Sequence, residues 1–494
     1  MEELLDQWRL EEAGKLLSPL LEARRPNPAA PALAARLAFL EGRYGEAQKR
    51  IERALSLKPA DERWLALRLL VQQTRAAAGP LKRYESEHFA LYLDEPRDGI
   101  LAPYALEALE AAQRAMAKLL GFRPRERVRV EVFPDATAFN RASTLSLRDI
   151  EVTGAVGVAK FHKVMVLSPR SLILGYRWLD TLSHEYIHFV LTKMSHNRAP
   201  IWFHEGLAKF AEAHWKGTGL PYLNPAAEAL LARATREGGF VGFRRMEPSL
   251  IYLDSAAEVH QAYAEAATAL EFILERGGTP TLRRIIQHMA RGKERGAEEA
   301  LRSVLGLSFE QFEKGWRAFL ARKGLSERKG VRVRQLRVRR GGPVGEKAWE
   351  LKAIQSEVAR RRAALGDRLR ARGRLRAAAI EYRRALREDP HSAVILNKLG
   401  VSLLSLRRSR EALEHLRRAK ALDPDYVTTY VHLGYAHARA GDLRGARAAW
   451  EEAIELNPFD PRAHLELARV YRQLGEEVRS RREARIGRRL LRQN

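Results

Sequence analysis

Spacing of the apolar positions divides the chain into helical stretches at both ends and a mixed region between them. Residues 1–78 keep a helical period throughout. From Tyr84 the period shortens. Phe89-Ala90-Leu91-Tyr92-Leu93 and Arg127-Val128-Arg129-Val130-Glu131-Val132-Phe133 alternate or run β-branched, and Pro134-Asp135 follows the second as a turn. An Ala-rich helix over residues 101–120 separates them. A third strand, Val164-Met165-Val166-Leu167, follows the glycine-bearing stretch Thr153-Gly154-Ala155-Val156-Gly157. The helical period then returns over Thr181 to Val190, after Pro200, and across residues 224–322. It breaks over residues 323–347 and resumes to the end. The pattern predicts an α+β fold with helix predominant, in which a small sheet precedes a group of helices.

The last section repeats itself. Pro390, Pro424 and Pro458 stand 34 residues apart, as do Gly366, Gly400 and Gly434. Ala378, Ala412 and Ala446 keep the same interval, as do Ala385, Ala419 and Ala453, with bulky Tyr382, Leu416 and Trp450 between them. This is the period of a tetratricopeptide array, with residues 461–490 as its closing helices. Stacked helix pairs present a groove, so a protein or peptide partner is expected there. Near the N-terminus, Gly42, Ala47, Ala54 and Pro59 show the same spacing over about two repeats. About three are normally needed for independent stability, so this segment is expected to pack against the neighbouring mixed region.

Candidate chemistry is concentrated in Thr181-Leu182-Ser183-His184-Glu185-Tyr186-Ile187-His188 and in Pro200-Ile201-Trp202-Phe203-His204-Glu205-Gly206-Leu207-Ala208, whose Glu205 stands seventeen residues after His188. Residues four apart on a helix share a face, so His184 and His188 can hold one zinc ion. Glu185 sits one position round, where it can act as a general base without being a ligand. A catalytic zinc needs a third protein ligand, and Glu205 is the candidate, on a helix that Pro200 starts. His196 and His204 are expected in a loop or behind the ligands rather than on the metal.

These segments resemble the gluzincin metallopeptidases, whose second helix reads roughly W-L-x-E-G-x-A with a further Glu seven positions on, a place Glu212 fills. The resemblance covers about residues 85–322 and is closest to the peptidase-MA-like group. A metzincin needs Gly three and His six positions after the second His; Leu191 and Met194 stand there instead. The resemblance implies one Zn²⁺ per chain, an edge strand within residues 154–168 that holds substrate backbone, and a Tyr-bearing helix whose phenol reaches the developing oxyanion. His260-Gln261-Ala262-Tyr263-Ala264-Glu265 is similar to that helix and makes Tyr263 the candidate, with Tyr252 and His260 as competitors. A core ring bonded to a carbonyl is an equal reading of Tyr263. Gly154-Ala155-Val156-Gly157 lacks the Glu with which aminopeptidases of the clan grip a substrate amine, so an endopeptidase or a non-peptidase fits better than an aminopeptidase. The rival reading is a catalytically silent repeat scaffold.

Composition adds bounds. At 494 residues the chain accommodates two to four domains. The expected division is 1–78 as N-terminal repeats, 79–325 as the gluzincin-like domain, 326–360 as a basic linker and 361–494 as the C-terminal repeats. With no cysteine, any metal must be held by His and carboxylate. The acidic start Met1-Glu2-Glu3-Leu4-Leu5-Asp6 lacks the features of a signal peptide, and no apolar run reaches the length of a membrane span. A cytoplasmic chain is expected, or a periplasmic or secreted one if a leader has been removed. The net charge of +26 invites a nucleic-acid reading, but most charges lie on repeat helices, interleaved with Glu and Asp. Arg328, Lys329, Arg332, Arg334, Arg337, Arg339 and Arg340 form the densest basic run, read as a charged linker or a final strand. No base-reading motif accompanies it, and nucleic acid is not an expected partner.

Overall fold

The alternating stretches become strands of one five-stranded sheet in the computed structural model, which describes residues 1–22, 27–217, 219–292, 296–331, 333, 336–339 and 350–493. The strands are β1 (Lys82–Glu85), β2 (Phe89–Leu93), β3 (Val128–Phe133), β4 (Gly157–Lys160) and β5 (Lys163–Leu167), in the order β1-β2-β3-β5-β4. β2, β3 and β5 run parallel, and the outer strands β1 and β4 pair antiparallel to their neighbours. β1, whose side chains are mostly exposed, carries no apolar alternation that the sequence pattern could detect. The helix Ala102–Leu120 is the crossover between β2 and β3. It buries Ala105, Leu109, Ala112 and Met116, and ends where Gly121 takes a left-handed φ of 68°.

The molecule is predominantly helical and divides into two compact units. Unit 1 comprises Met1–Ser168, Leu179–Leu223 and Leu230–Leu325; unit 2 comprises Pro169–Trp178, Asn224–Ala229 and Ser326–Asn494.

In unit 1 the N-terminal helices are fastened to the sheet by a buried polar group. Glu131, fully buried on β3, accepts hydrogen bonds from the Tyr44 hydroxyl and from Arg129 Nε, both at 2.6 Å, and Lys163 Nζ lies 3.7 Å from its other oxygen. Burial holds the Lys163 pKa down to about 8. Trp8 meets His162 edge to face and lies tilted against Phe189, and its carbonyl accepts from Lys193 Nζ at 3.1 Å. The N-terminal segment therefore leans on the sheet and on the helix that carries the two histidines. An isolated 1–78 fragment would expose this face and leave Tyr44 without its carboxylate. It should show no cooperative thermal transition when its helix signal is followed on heating.

Unit 2 is built around four helix pairs among the described residues: Glu357–Ala371 with Leu375–Glu388, Ala393–Ser405 with Ser409–Leu422, Val427–Arg439 with Leu443–Leu456, and Pro461–Gln473 with Glu477–Gln493. The 34-residue pattern has a steric cause. A Cβ on Gly366, Gly400 or Gly434 would come within 2.5 Å of Tyr382, 2.7 Å of Leu416 and 2.3 Å of Trp450 respectively, so each glycine receives the large side chain of its partner helix. Residues expected to be linker also join this unit. Ile354 is fully buried, and Glu350 is bound by Lys398 Nζ at 2.9 Å and by the Tyr426 hydroxyl. Part of the basic run is extended, since Val338 bridges antiparallel to Leu172. Arg332, Arg334, Arg340 and the following Gly341-Gly342-Pro343 lie outside the described residues.

Candidate metal centre

The helix Trp178–Ser195, here the metal helix, is apolar on most of its circumference. Leu182, Tyr186, Ile187, Phe189, Val190 and Leu191 are all buried, and Tyr186 meets Phe89 of β2 edge to face at 5.1 Å. In its first turn Asp180 accepts from Trp215 Nε1 at 2.8 Å and from Lys216 Nζ at 3.1 Å. Four-residue spacing brings the His184 and His188 rings to 4.7 Å between centroids.

The second helix, Ile201–Ala211, begins after Pro200 and lies against the helical stretch Ala256–Arg291, which is kinked at Gly277-Gly278. Gly206 permits the approach: a Cβ there would fall 2.4 Å from the Ala266 carbonyl oxygen and 2.5 Å from Leu270 Cδ2. One residue earlier, Glu205 Oε2 lies 3.4 Å from His184 Nε2 and 3.4 Å from His188 Nε2. This buried oxygen has no hydrogen-bond partner. Two ligand atoms each about 2.0–2.1 Å from a tetrahedral zinc lie roughly 3.3–3.4 Å apart. An orphaned carboxylate oxygen equidistant from two imidazole nitrogens, in a chain without thiolates, fits zinc by both geometry and donor chemistry.

Glu185 also brings an oxygen within 4.8 Å of both histidine nitrogens, so proximity alone leaves two candidate carboxylates. Their surroundings separate them. Glu185 is turned toward the edge strand, where a Cβ on Gly157 would stand 2.7 Å from its Cγ and 2.8 Å from Oε1. Burial pushes the Glu185 carboxyl up from its ordinary value, against the pull of His188 and His184.

Outer contacts orient the ligands. His184 Nδ1 is 3.0 Å from Glu212 Oε2, and Lys209 Nζ donates to the other oxygen of Glu212. With Nδ1 engaged by Glu212, Nε2 is the ring nitrogen left to face Glu205 and to serve a metal. Burial opposes charge on His184, but the neighbouring Glu205 and Glu212 carboxylates overcome this and raise its pKa to about 10, a proton that a bound metal would displace. Burial likewise opposes ionised Glu205 and Glu212. His188 and His184 hold Glu205 well below the usual carboxylate range, and Lys209 with His184 brings Glu212 down to about 2.

The structure puts His184, Glu185, His188, Glu205 and Tyr263 in one place. The Tyr263 ring lies 6.3 Å from His184, nearly perpendicular to it. Burial, with Glu205, Glu185 and Glu212 nearby, keeps its phenol protonated far above neutral pH. Tyr252 is 71 % exposed, and His260 Nδ1 is 2.8 Å from the Ala256 carbonyl of its own helix. His196 lies in the turn after the metal helix, 3.3 Å from the Ala290 carbonyl. His204 is buried with its ring 5.5 Å from that of His188. Sequence reasoning did not single out Lys209, Asp180 or the tight fit at Gly157. Lys209 alone left a local signal, its three-residue spacing from Glu212.

The Peptidase MA superfamily model matches residues 108–322, and the tetratricopeptide repeat model matches 363–427 and 432–485. A TPR repeat-containing protein of Pseudomonas aeruginosa is 40% identical over 63 residues, which is 13% of this chain and 60% of that protein. The Hsp70-Hsp90 organizing protein of Triticum aestivum is 33% identical over 86 residues, 17% of this chain and 15% of that one. The chain thus spans less than two thirds of the length of either relative. Among solved structures, MamA is 26% identical at a TM-score of 0.26, covering 27% of this chain and 73% of its own. A thermophilic TPR protein of Thermus thermophilus is 28% identical at a TM-score of 0.25, covering 26% and 72%. The family models thus place a Peptidase MA superfamily match over residues 108–322 ahead of tetratricopeptide-repeat matches over residues 363–427 and 432–485.

Proposed function

We propose that this chain is a zinc-dependent endopeptidase whose C-terminal repeats engage a protein partner. The observation that carries the catalytic part is the Glu205 oxygen, buried without a partner and 3.4 Å from both histidine Nε2 atoms. His184, His188 and Glu205 would hold the ion. Zinc so bound supplies Lewis acidity toward a carbonyl and makes water a nucleophile near neutral pH.

The chain's own groups do the rest. Glu185 takes a proton from the attacking water and carries it to the nitrogen of the leaving amine. Glu212, steadied by Lys209, keeps His184 in the tautomer that presents Nε2. β4 ends the sheet, with β5 on one side, and runs past Glu185 at Gly157 and Ala159. An extended peptide added to its outer edge would set the scissile carbonyl beside that carboxylate. Tetratricopeptide repeats suggest protein–protein interaction, and the array supplies the recruiting surface in this reading.

Tyr263 is the proposed donor to the carbonyl oxygen as that atom gains charge. Tyr263→Phe keeps the ring and its contact with His184, so the thermal midpoint should hardly move. kcat should fall by about 10²–10³ with KM little changed, because the bond strengthens only as the transition state forms. An unchanged kcat on a peptide substrate would remove Tyr263 from the mechanism. The cleavage test for the whole proposal compares the unchanged chain with Glu185→Gln.

A further inference from the structure

Residues 169–178 run from just after β5 to the first residue of the metal helix, yet they belong to unit 2. Backbone contacts hold them there. The Arg339 N–H donates to the Ser171 carbonyl at 2.7 Å, and the Ile173 N–H to the Arg337 carbonyl at 3.2 Å. The Tyr176 N–H donates to the Leu456 carbonyl at 3.0 Å, at the end of the sixth array helix. Gly175, at φ +68°, passes so close that a Cβ would lie 2.0 Å from that same carbonyl oxygen. The Arg170 guanidinium sits 4.1 Å from the centre of the Phe459 ring.

Arg177 is the focus of the contact. Its Nε lies 2.7 Å from Asp425 Oδ1, and its Nη1 lies 2.9 Å from Glu452 Oε2 and 3.5 Å from Glu455 Oε1. Its Nη2 lies 2.9 Å from the Pro424 carbonyl oxygen and 3.3 Å from the Tyr430 hydroxyl, which itself donates to that carbonyl at 2.7 Å. Acceptors on three sides, in reach of all three guanidinium nitrogens, suit a planar fork. A lysine ammonium is a single point charge and cannot satisfy them together.

We infer that the third repeat pair carries a guanidinium-binding site whose ligand is an arginine on an extended segment. In this chain Arg177 fills it, and the filled site fixes the residues that lead into the metal helix. Arg177 is followed at once by Trp178, the first residue of that helix, and His184 lies seven residues on. Arg177 is thus a positioning residue. The site stands on these contacts whatever reaction the metal centre performs, so the proposal goes beyond the peptidase reading.

The test uses the full chain without substrate and reads amide hydrogen exchange. In Arg177→Ala, exchange at Ile173 and Tyr176 should quicken at least tenfold and that at Leu182 and Ser183 severalfold, while amides within Val427–Arg439 keep their protection. Millimolar methylguanidinium should slow Tyr176 again by refilling the vacated site; methylammonium should not. Neither should act on the triple variant Arg177→Ala, Asp425→Asn, Glu452→Gln. Arg177→Lys should resemble Arg177→Ala more than the unchanged chain. Unchanged exchange in Arg177→Ala would overturn the inference, as would equal rescue by both cations. Loss of protection throughout Val427–Arg439 would reduce Arg177 to an ordinary stabilising contact and also overturn it. A chain that cleaves no peptide but shows the guanidinium-specific rescue would sink the peptidase proposal and leave this one standing.

Discussion

Glu185→Gln should retain about as much zinc as the unchanged chain while its peptide turnover falls by about 10²–10⁴. The amide has nearly the shape of the carboxylate, so the fit against Gly157 survives. Only the capacity to accept a proton is lost. His184, His188 and Glu205 are untouched, and with them the place where the metal belongs. Metal analysis by mass spectrometry together with cleavage of a peptide library makes the comparison. Cleavage at the unchanged rate would exclude Glu185 as the base. Cleavage by neither protein, with zinc present in both, would favour the repeat scaffold.

Changing His184 and His188 together to Ala should bring bound zinc from close to one per chain to near none, with all hydrolysis lost. One ligand would remain of three, and a lone carboxylate binds zinc weakly against water. The two imidazoles also supply the charge that makes an ionised Glu205 tolerable in its buried position. Without them that carboxylate should take up a proton at higher pH. Removing zinc from the unchanged chain with a chelator should reproduce the loss of activity but not this shift. Infrared titration of the Glu205 carboxylate separates the two cases. Zinc content unaltered in the double variant would refute the ligand assignment.

Two parts of this molecule were legible in the residues because their causes are local or periodic. The 34-residue interval is visible since each glycine must receive one large side chain at a fixed separation, as Gly434 does Trp450. His184 and His188 are visible because helical pitch alone makes them neighbours. Glu205 needed a second helix, but the glycine beside it marks a close crossing. What the sequence hid depends on distant parts of the chain meeting. Arg177 finds its acceptors some 250 residues away, at Asp425 and Glu452, so nothing near it announces its role. The same holds for the 169–178 segment as a whole, which interrupts one domain in sequence while belonging to the other unit. β1 escaped because four polar-leaning residues at a sheet edge leave no apolar stripe.

Gly206 sets the mechanical character of the centre. With no side chain at Gly206, the helix that carries Glu205 comes close to both the Ala266 backbone carbonyl and the Leu270 side chain of the helix that carries Tyr263, and parting them would open a void. In the proposed centre the Glu205 carboxylate and the Tyr263 phenol would thus share one closely packed support. β4, paired to the sheet along one side, passes Glu185 at Gly157. If the proposed peptidase reading holds, differences in substrate bulk would fall to the strand, and a graft meant to change which peptides are cut would belong on β4 rather than on either helix.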